Sequence, residues 1–207
     1  MKALIVGNSS GQIPKAQFLK SLKEAEVIIA ADGGVAALIE QNIFPHLLIG
    51  DIDSTPQSAL DQLPSSTQIE RHPRDKNFSD LELAHQWAEK RGAQSIDIFQ
   101  WSDERIDYSY NALLGLKDSK ASLQLYGADF VLGILNQFHS TLSLRSQTLR
   151  RISIGSLSLP ATLSSEGLKW ELNWSAITSP QLSLSNEFNG RLELKLQTGS
   201  VFYSLNS

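Results

Sequence analysis

The sequence predicts an N-terminal, mostly parallel α/β sheet domain followed by a C-terminal all-β sandwich domain. Three observations predict it. Short, unbroken apolar runs alternate with helix signals as far as about residue 120. Helical periodicity then stops, and strand-like runs separated by Gly, Ser and Asn take over. The charge is also uneven: 17 acids and 12 bases lie in residues 1–120, against 5 acids and 6 bases in 121–207. A chain of 207 residues is long enough for one large domain or two small ones. The boundary is expected within 118–142, and we divide the chain into 1–125 and 126–207.

The elements follow in order. Ala3-Leu4-Ile5-Val6 is an apolar run ended by Gly7-Asn8-Ser9-Ser10-Gly11. Pro14 to Glu24 reads as a helix with proline near its start. Val27-Ile28-Ile29-Ala30-Ala31 is a β-branched run closed by Asp32-Gly33-Gly34, and a short helix to about Gln41 follows. Leu47-Leu48-Ile49 ends at Gly50-Asp51-Ile52-Asp53, after which Thr55-Pro56 offers a helix start. Ser79-Asp80-Leu81-Glu82 fits a capping box, and Gly92 is placed to end the helix it opens. Ile96–Phe99 is the next strand. Continuous apolar strands between helices indicate a parallel sheet covered on both faces.

After residue 120, strands are expected over Leu123–Tyr126, Arg151–Leu159, Leu168–Leu172, Leu182–Leu184, Arg191–Gln197 and Val201–Tyr203. The run Arg191-Leu192-Glu193-Leu194-Lys195-Leu196 alternates polar and apolar, as a half-exposed strand does.

Composition narrows the function. Hydrophobic content of 41% and charged content of 19% suit a soluble globular protein. A net charge of −4 argues against a general nucleic-acid surface. The absence of cysteine excludes disulfides, thiolate metal sites and a cysteine nucleophile. No segment approaches a signal-peptide core or a membrane span, so a cytoplasmic protein without a membrane partner is expected.

Three acidic turns carry the chemistry: Asp32-Gly33-Gly34, Gly50-Asp51-Ile52-Asp53-Ser54 and Asp75-Lys76-Asn77-Phe78-Ser79-Asp80. The first two follow strands directly. In a parallel sheet the strand carboxyl ends share one edge, where ligands bind. These carboxylates should therefore meet in space. Converging carboxylates repel one another unless a cation lies between them, and hard oxygen ligands suit Mg²⁺. Asp80, at a helix start, adds a third acid.

These turns, with Arg105-Ile106-Asp107, Ser156-Leu157-Ser158-Leu159-Pro160, Glu166-Gly167-Leu168-Lys169-Trp170 and Ser183-Leu184-Ser185-Asn186, resemble the ordered motifs of the thiamine pyrophosphokinase family. The resemblance covers about residues 3–203. It implies an ATP- and Mg²⁺-dependent enzyme that moves a pyrophosphoryl group onto thiamine, with AMP as the other product. It implies a homodimer with its active site between subunits. By the same resemblance, Asp51, Asp53 and Asp80 hold Mg²⁺. Asp32, Gly33, Gly34, Asp75, Lys76 and Ser79 lie around ATP. Arg105 neutralises phosphate oxygens, and Asp107 accepts or orients the attacking hydroxyl. Trp170, Ser183, Ser185 and Asn186 form the thiamine pocket, contributed by the partner subunit. Trp170 suits a cationic aromatic ring, by a contact worth about 0.5–2 kcal/mol.

The chain departs from the family in places. The approach to Asp107 lacks the usual glycines and carries Asp103 and Glu104, two acids that would repel ATP unless turned to solvent. Tyr108 stands where His is usual, and Asn111 is one residue nearer to Asp107 than the family's usual Asn. Asn77 replaces a common acid, and Ser79 a common Thr. Two other readings fit part of the sequence. Leu47–Thr55 also resembles the Asp-x-Asp-x-Thr strand end of haloacid-dehalogenase phosphohydrolases, with Asp51 as nucleophile, but no late acidic pair follows. A non-catalytic thiamine or nucleotide sensor would explain the altered 101–108 segment.

Overall fold

The computed structural model describes residues 1–102, 105–177 and 179–206. Asp103 and Glu104 therefore lie outside the described residues. The fold is mixed α/β. The chain divides into two compact units, Met1–Ala112 with Leu125–Ala128, and Leu113–Gln124 with Asp129–Ser207.

The first unit alternates strand and helix: β1 (Lys2–Val6), α1 (Lys15–Glu24), β2 (Val27–Ala31), α2 (Gly34–Ile39), β3 (Leu47–Gly50), α3 (Gln57–Leu60), β4 (Gln68–Arg71), α4 (Asp80–Lys90) and β5 (Ser95–Phe99). Its strands are all parallel, in the order β5-β1-β2-β3-β4. Ile5 lies opposite Ile29 on one side and Ile98 on the other. Apart from the first residues of β1 and β5, the strands β1, β2, β3 and β5 are buried throughout, which is why they read as apolar runs, broken only at Asp97 of β5, whose buried carboxylate is met by Lys2 Nζ at 2.8 Å and Ser21 Oγ at 2.5 Å. β4 is an edge strand of polar residues, exposed at Gln68, Ile69 and Arg71; without an apolar run it gave no sequence signal.

Alternate strand residues point to opposite faces. Leu4, Val6, Ile28, Ala30, Leu48 and Phe99 form one face's core with Phe18 of α1, Val35 and Leu38 of α2, and Ala59 of α3. Helix α4 packs across β1, β2 and β3, burying Ala84 and Ala88, which lie outside that cluster. Both faces are thus covered, as the apolar runs predict. The Ser79 capping box is formed: Glu82 N donates to Ser79 Oγ at 3.3 Å, and Ser79 N donates to Glu82 Oε2 at 2.9 Å.

After Phe99 the sequence marks no particular helix, and the structure forms α5 over Ile106–Leu116. α5 and β6 (Ser122–Tyr126) carry the chain between the two contact-defined units. Tyr126 stacks on Phe99, centroids 4.6 Å apart.

The second unit contains β7 (Phe130–Leu135), β8 (Thr141–Ser156), β9 (Ala161–Leu168), β10 (Asn173–Ile177), β11 (Leu182–Thr198) and β12 (Val201–Asn206). They pair antiparallel in the order β10-β9-β11-β8-β12-β7. These six strands form one continuous ladder. Two of them, β8 and β11, are long, and their pairing shifts register between Ser183 and Asn186 and between Phe188 and Gly190. The expected strands Leu182–Leu184 and Arg191–Gln197 are therefore parts of one bulged strand. The core joins Ile152 and Ile154 of β8, Leu163 of β9, Trp174 of β10, and Phe188, Leu192, Leu194 and Leu196 of β11. Residues 169–172, expected as strand, form the turn between β9 and β10. Gly167 has φ +98°, and the Glu171 carboxylate accepts from Gly167 N at 2.6 Å and from Ser165 Oγ, which turns the chain. No helix among the described residues is long and apolar enough to cross a membrane.

Candidate active site

The order β5-β1-β2-β3-β4 places β1, the first strand, between β2 and β5. Chain progression reverses there, and in such sheets the crevice lies beyond the strand carboxyl ends at that reversal. Three non-glycine residues just past those ends have positive φ: Asp32 at 49°, Ile52 at 63° and Gln100 at 50°. Such conformations cost roughly 1–3 kcal/mol each and gather at functional sites. A cleft of about 640 Å³ opens at this edge, lined by the turn after β1 (Gly7, Asn8, Ser9), by Asp32, Asp51 and Arg74, by Lys76–Glu82, by Gln100 and Trp101, and by Arg105, Tyr108, Asn111 and Ala112. That volume suits a nucleotide-sized ligand.

The acids meet as the sequence predicts, although the trio differs. Asp32, Asp51 and Asp80 each offer a carboxylate oxygen, and these atoms lie within 4.8 Å of one another. Asp53 is turned aside and pairs with Arg74 Nη1 at 3.5 Å. Its backbone amide instead donates to Asp51 Oδ1 at 3.2 Å. The reason is Ile52, whose left-handed φ breaks the strand, so Asp51 and Asp53 do not share a face as they would in a continued strand.

Asp32 is 6% exposed and accepts from Thr55 Oγ1 at 3.3 Å, from Asn8 Nδ2 at 3.2 Å and from Ser54 Oγ. Lys76 Nζ lies 2.9 Å from Asp80 Oδ1 and 3.8 Å from Asp51 Oδ2. Burial pushes the Asp80 carboxyl above its ordinary range; the Asp51 and Asp32 charges act the same way, and the Lys76 ammonium opposes them. The Asp53 amide holds the Asp51 carboxyl below its ordinary range, helped by Lys76 and Arg74 against burial. A cluster of hard oxygens, two of them displaced from their usual titration range, is a donor set that fits a divalent cation.

Three glycines make the approach possible. A Cβ on Gly50, whose φ is +148°, would lie 2.9 Å from Asp80 Oδ1 and 3.2 Å from Asp32 Cβ. A Cβ on Gly34 would lie 2.2 Å from Val6 O and 2.5 Å from Gly7 O. Gly33 packs on Asn8 in the same way. These two residues therefore let the Asp32 turn press against the turn after β1. Asp75 is exposed. Arg105 holds Asp107 by two hydrogen bonds, Nε–Oδ1 2.9 Å and Nη2–Oδ2 2.6 Å, and lies 4.5 Å from the Tyr108 ring centroid. That bidentate contact keeps the Asp107 carboxyl below its ordinary range.

In the second unit, Trp170, Ser183 and Asn186 come together. Asn186 is fully buried. Its Nδ2 donates to Trp170 O at 2.7 Å and Ser183 Oγ at 3.2 Å, and its Oδ1 accepts from Trp170 N at 3.2 Å. The Trp170 ring is left 55% exposed, with Lys169 Nζ 4.4 Å from its centroid. Ser185, at φ 50°, donates its amide to Ser153 Oγ at 3.0 Å.

Residues 18–126 match the catalytic-domain model of thiamin pyrophosphokinase, and residues 139–201 match its vitamin B1 binding-domain model. The chain belongs to the thiamin pyrophosphokinase family. As a member it is an enzyme, one that uses ATP to pyrophosphorylate thiamine, and family members need a divalent metal. The phosphohydrolase and sensor readings lapse with that membership. No curated protein matches the chain in sequence. Solved structures share the fold. The thiamine pyrophosphokinase of Bacillus subtilis has a TM-score of 0.81 at 20% identity, covering 100% of this chain and 99% of that one. The thiamin pyrophosphokinase of Candida albicans gives 0.78 at 18%, covering 99% and 89%. The yeast enzyme gives 0.75 at 15%, covering 99% and 86%.

No motif marks Asn8, Arg74, Gln100 and Trp101 of the cleft wall as site residues, nor Ser54 and Thr55, whose hydroxyls hold Asp32 from behind. Ser54 and Thr55 directly follow Asp53, and their proximity to the acidic turn was the available signal. Gln100 and Trp101 had none beyond following a strand.

Proposed function

We propose that the chain performs its transfer in the carboxylate-lined cleft, with Mg²⁺-bound ATP. Thiamine is presented by the β-rich unit of a second copy in a cytoplasmic homodimer. The observation that carries the reading is the convergence of Asp32, Asp51 and Asp80, from two strand-end turns and the start of α4, on one cleft of about 640 Å³. Ordinary folding does not require such a cluster.

Mg²⁺, when bound, supplies charge neutralisation for the phosphate oxygens. Asp51, Asp53 and Asp80 are the ligand set the resemblance implies. The geometry favours Asp51 and Asp80 with Asp32 beside them, and Asp53 joins by leaving Arg74. Lys76 and Arg105 hold phosphate oxygens by charge-assisted hydrogen bonds. Ser79 contributes at the mouth of α4, Asp75 at its rim, and Gly33 and Gly34 by close packing behind Asp32. The thiamine hydroxyl oxygen bonds to the β-phosphorus as the bond to the α-phosphate oxygen breaks and AMP departs. Alignment and charge neutralisation do most of the work in such a transfer. Asp107, kept ionised by Arg105, orients that hydroxyl and takes its proton. The β-rich unit acts as the thiamine-binding sandwich, with the exposed Trp170 ring covering the cationic thiazolium and Ser183, Ser185 and Asn186 at its side. Incubation of the protein with ATP, Mg²⁺ and thiamine is expected to yield AMP and thiamine diphosphate. Release of ADP or inorganic phosphate instead overturns the reading.

Asn186→Ala tests the thiamine side. The change unfastens the Trp170 backbone and is expected to raise KM for thiamine about tenfold or more while KM for ATP stays within about twofold, as the loss of a buried hydrogen-bonding group worth ~1–3 kcal/mol implies. Equal changes in both constants would remove Asn186 from the thiamine pocket.

A further inference from the structure

Among the described residues, Lys76 is the one lysine on the cleft wall. Its side chain is 13% exposed, and its ammonium lies among acids that are themselves partly buried: Asp51 at 15% and Asp80 at 24% exposure. The contacts are 2.9 Å to Asp80 Oδ1 and 3.8 Å to Asp51 Oδ2. Arg74 also acts on Asp51, but behind Lys76, and it is 85% exposed and engaged with Asp53. Three carboxylates within 4.8 Å repel one another, and Lys76 is the cation that answers them.

We infer that Lys76 is the internal counter-cation of this acidic cluster, and that its ammonium and a divalent metal are alternative occupants beside Asp51 and Asp80. The inference rests on the metal reading proposed above. Mg²⁺ binds carboxylate oxygens at about 2.0–2.1 Å. An ion on Asp80 Oδ1 would then stand at most about 5 Å from Lys76 Nζ in its present place. Two cations so close, both drawing on one oxygen, oppose each other. Lysine has a flexible four-carbon stem and a compact charge, so it can swing while the carboxylates stay. Asp80 has little freedom, because its Oδ1 is packed over Gly50. Metal loading therefore releases Lys76 from the acids into the same cleft, where a polyphosphate is the anion it can next engage. Metal binding thereby prepares nucleotide binding.

The test is a Mn²⁺ titration without nucleotide, followed by electron paramagnetic resonance, on the wild-type protein, Lys76→Met and Lys76→Gln. Both variants are expected to bind Mn²⁺ about tenfold more tightly than wild type. Thermal melts supply the second readout. Without metal the variants should melt below wild type, and at saturating Mn²⁺ the curves should coincide. Two variants guard against one that fails to fold. Unchanged Mn²⁺ affinity in both variants, or a melting difference that persists at saturation, overturns the exchange and leaves the metal site standing. Failure of wild type and variants alike to bind Mn²⁺ overturns the metal reading and the exchange together.

Discussion

Asp51→Asn is expected to lower kcat by about 10²–10³-fold or more, the loss that follows removal of one preorganised electrostatic group, with little loss of stability. Asp51 offers an oxygen within 4.8 Å of oxygens from Asp32 and Asp80, and its carboxyl is held ionised by the Asp53 amide first and by Lys76 and Arg74 after burial is opposed. Asparagine keeps the shape and one acceptor oxygen but removes the charge. The metal then loses a hard anionic ligand, and the phosphate oxygens lose the neutralisation that the metal brings. Folding should tolerate the change, since it removes one of three mutually repelling carboxylates. The checks are steady-state AMP formation, Mn²⁺ titration and a thermal melt. Retained activity would take Asp51 out of the metal site.

Phe18→Ala is expected to have the largest effect on stability, a loss of about 3–5 kcal/mol, as large aromatic truncations in packed cores give. Phe18 is fully buried and meets Phe99 edge-on, centroids 5.1 Å apart. Phe99 in turn stacks on Tyr126. Removing the ring leaves a cavity among Leu4, Val6, Ile28 and Ala30, strand residues whose sheet hydrogen bonds keep them from closing in. The melting temperature should fall by roughly 10 °C or more for a chain of this size, and Phe18→Leu should lose markedly less. A Phe18→Ala protein that melts with wild type would mean that α1 contributes little to the core.

The parallel sheet was readable because β1, β2 and β3 carry continuous apolar runs, a pattern forced by helices on both faces. The Ser79 capping box was readable because its geometry depends on two side chains three residues apart. β4 was not, since an edge strand needs no apolar residues. In the β-rich unit, the turn at 169–172 was hidden because its cause is the Glu171 carboxylate folding back on Ser165 and Gly167, a contact that spacing alone does not reveal.

The sequence by itself determined the class of the protein, the edge at which its acids gather and the family whose chemistry it shares, because strand burial, turn composition and motif order are local properties of the chain. The tertiary structure decided which acids face one another. Ile52 in a left-handed conformation turns Asp53 away toward Arg74, buried Asp32 comes forward from the neighbouring strand, and Lys76 reaches in from the loop before α4. Those choices depend on backbone dihedrals and on approach between distant segments, and adjacency in sequence carries no record of them.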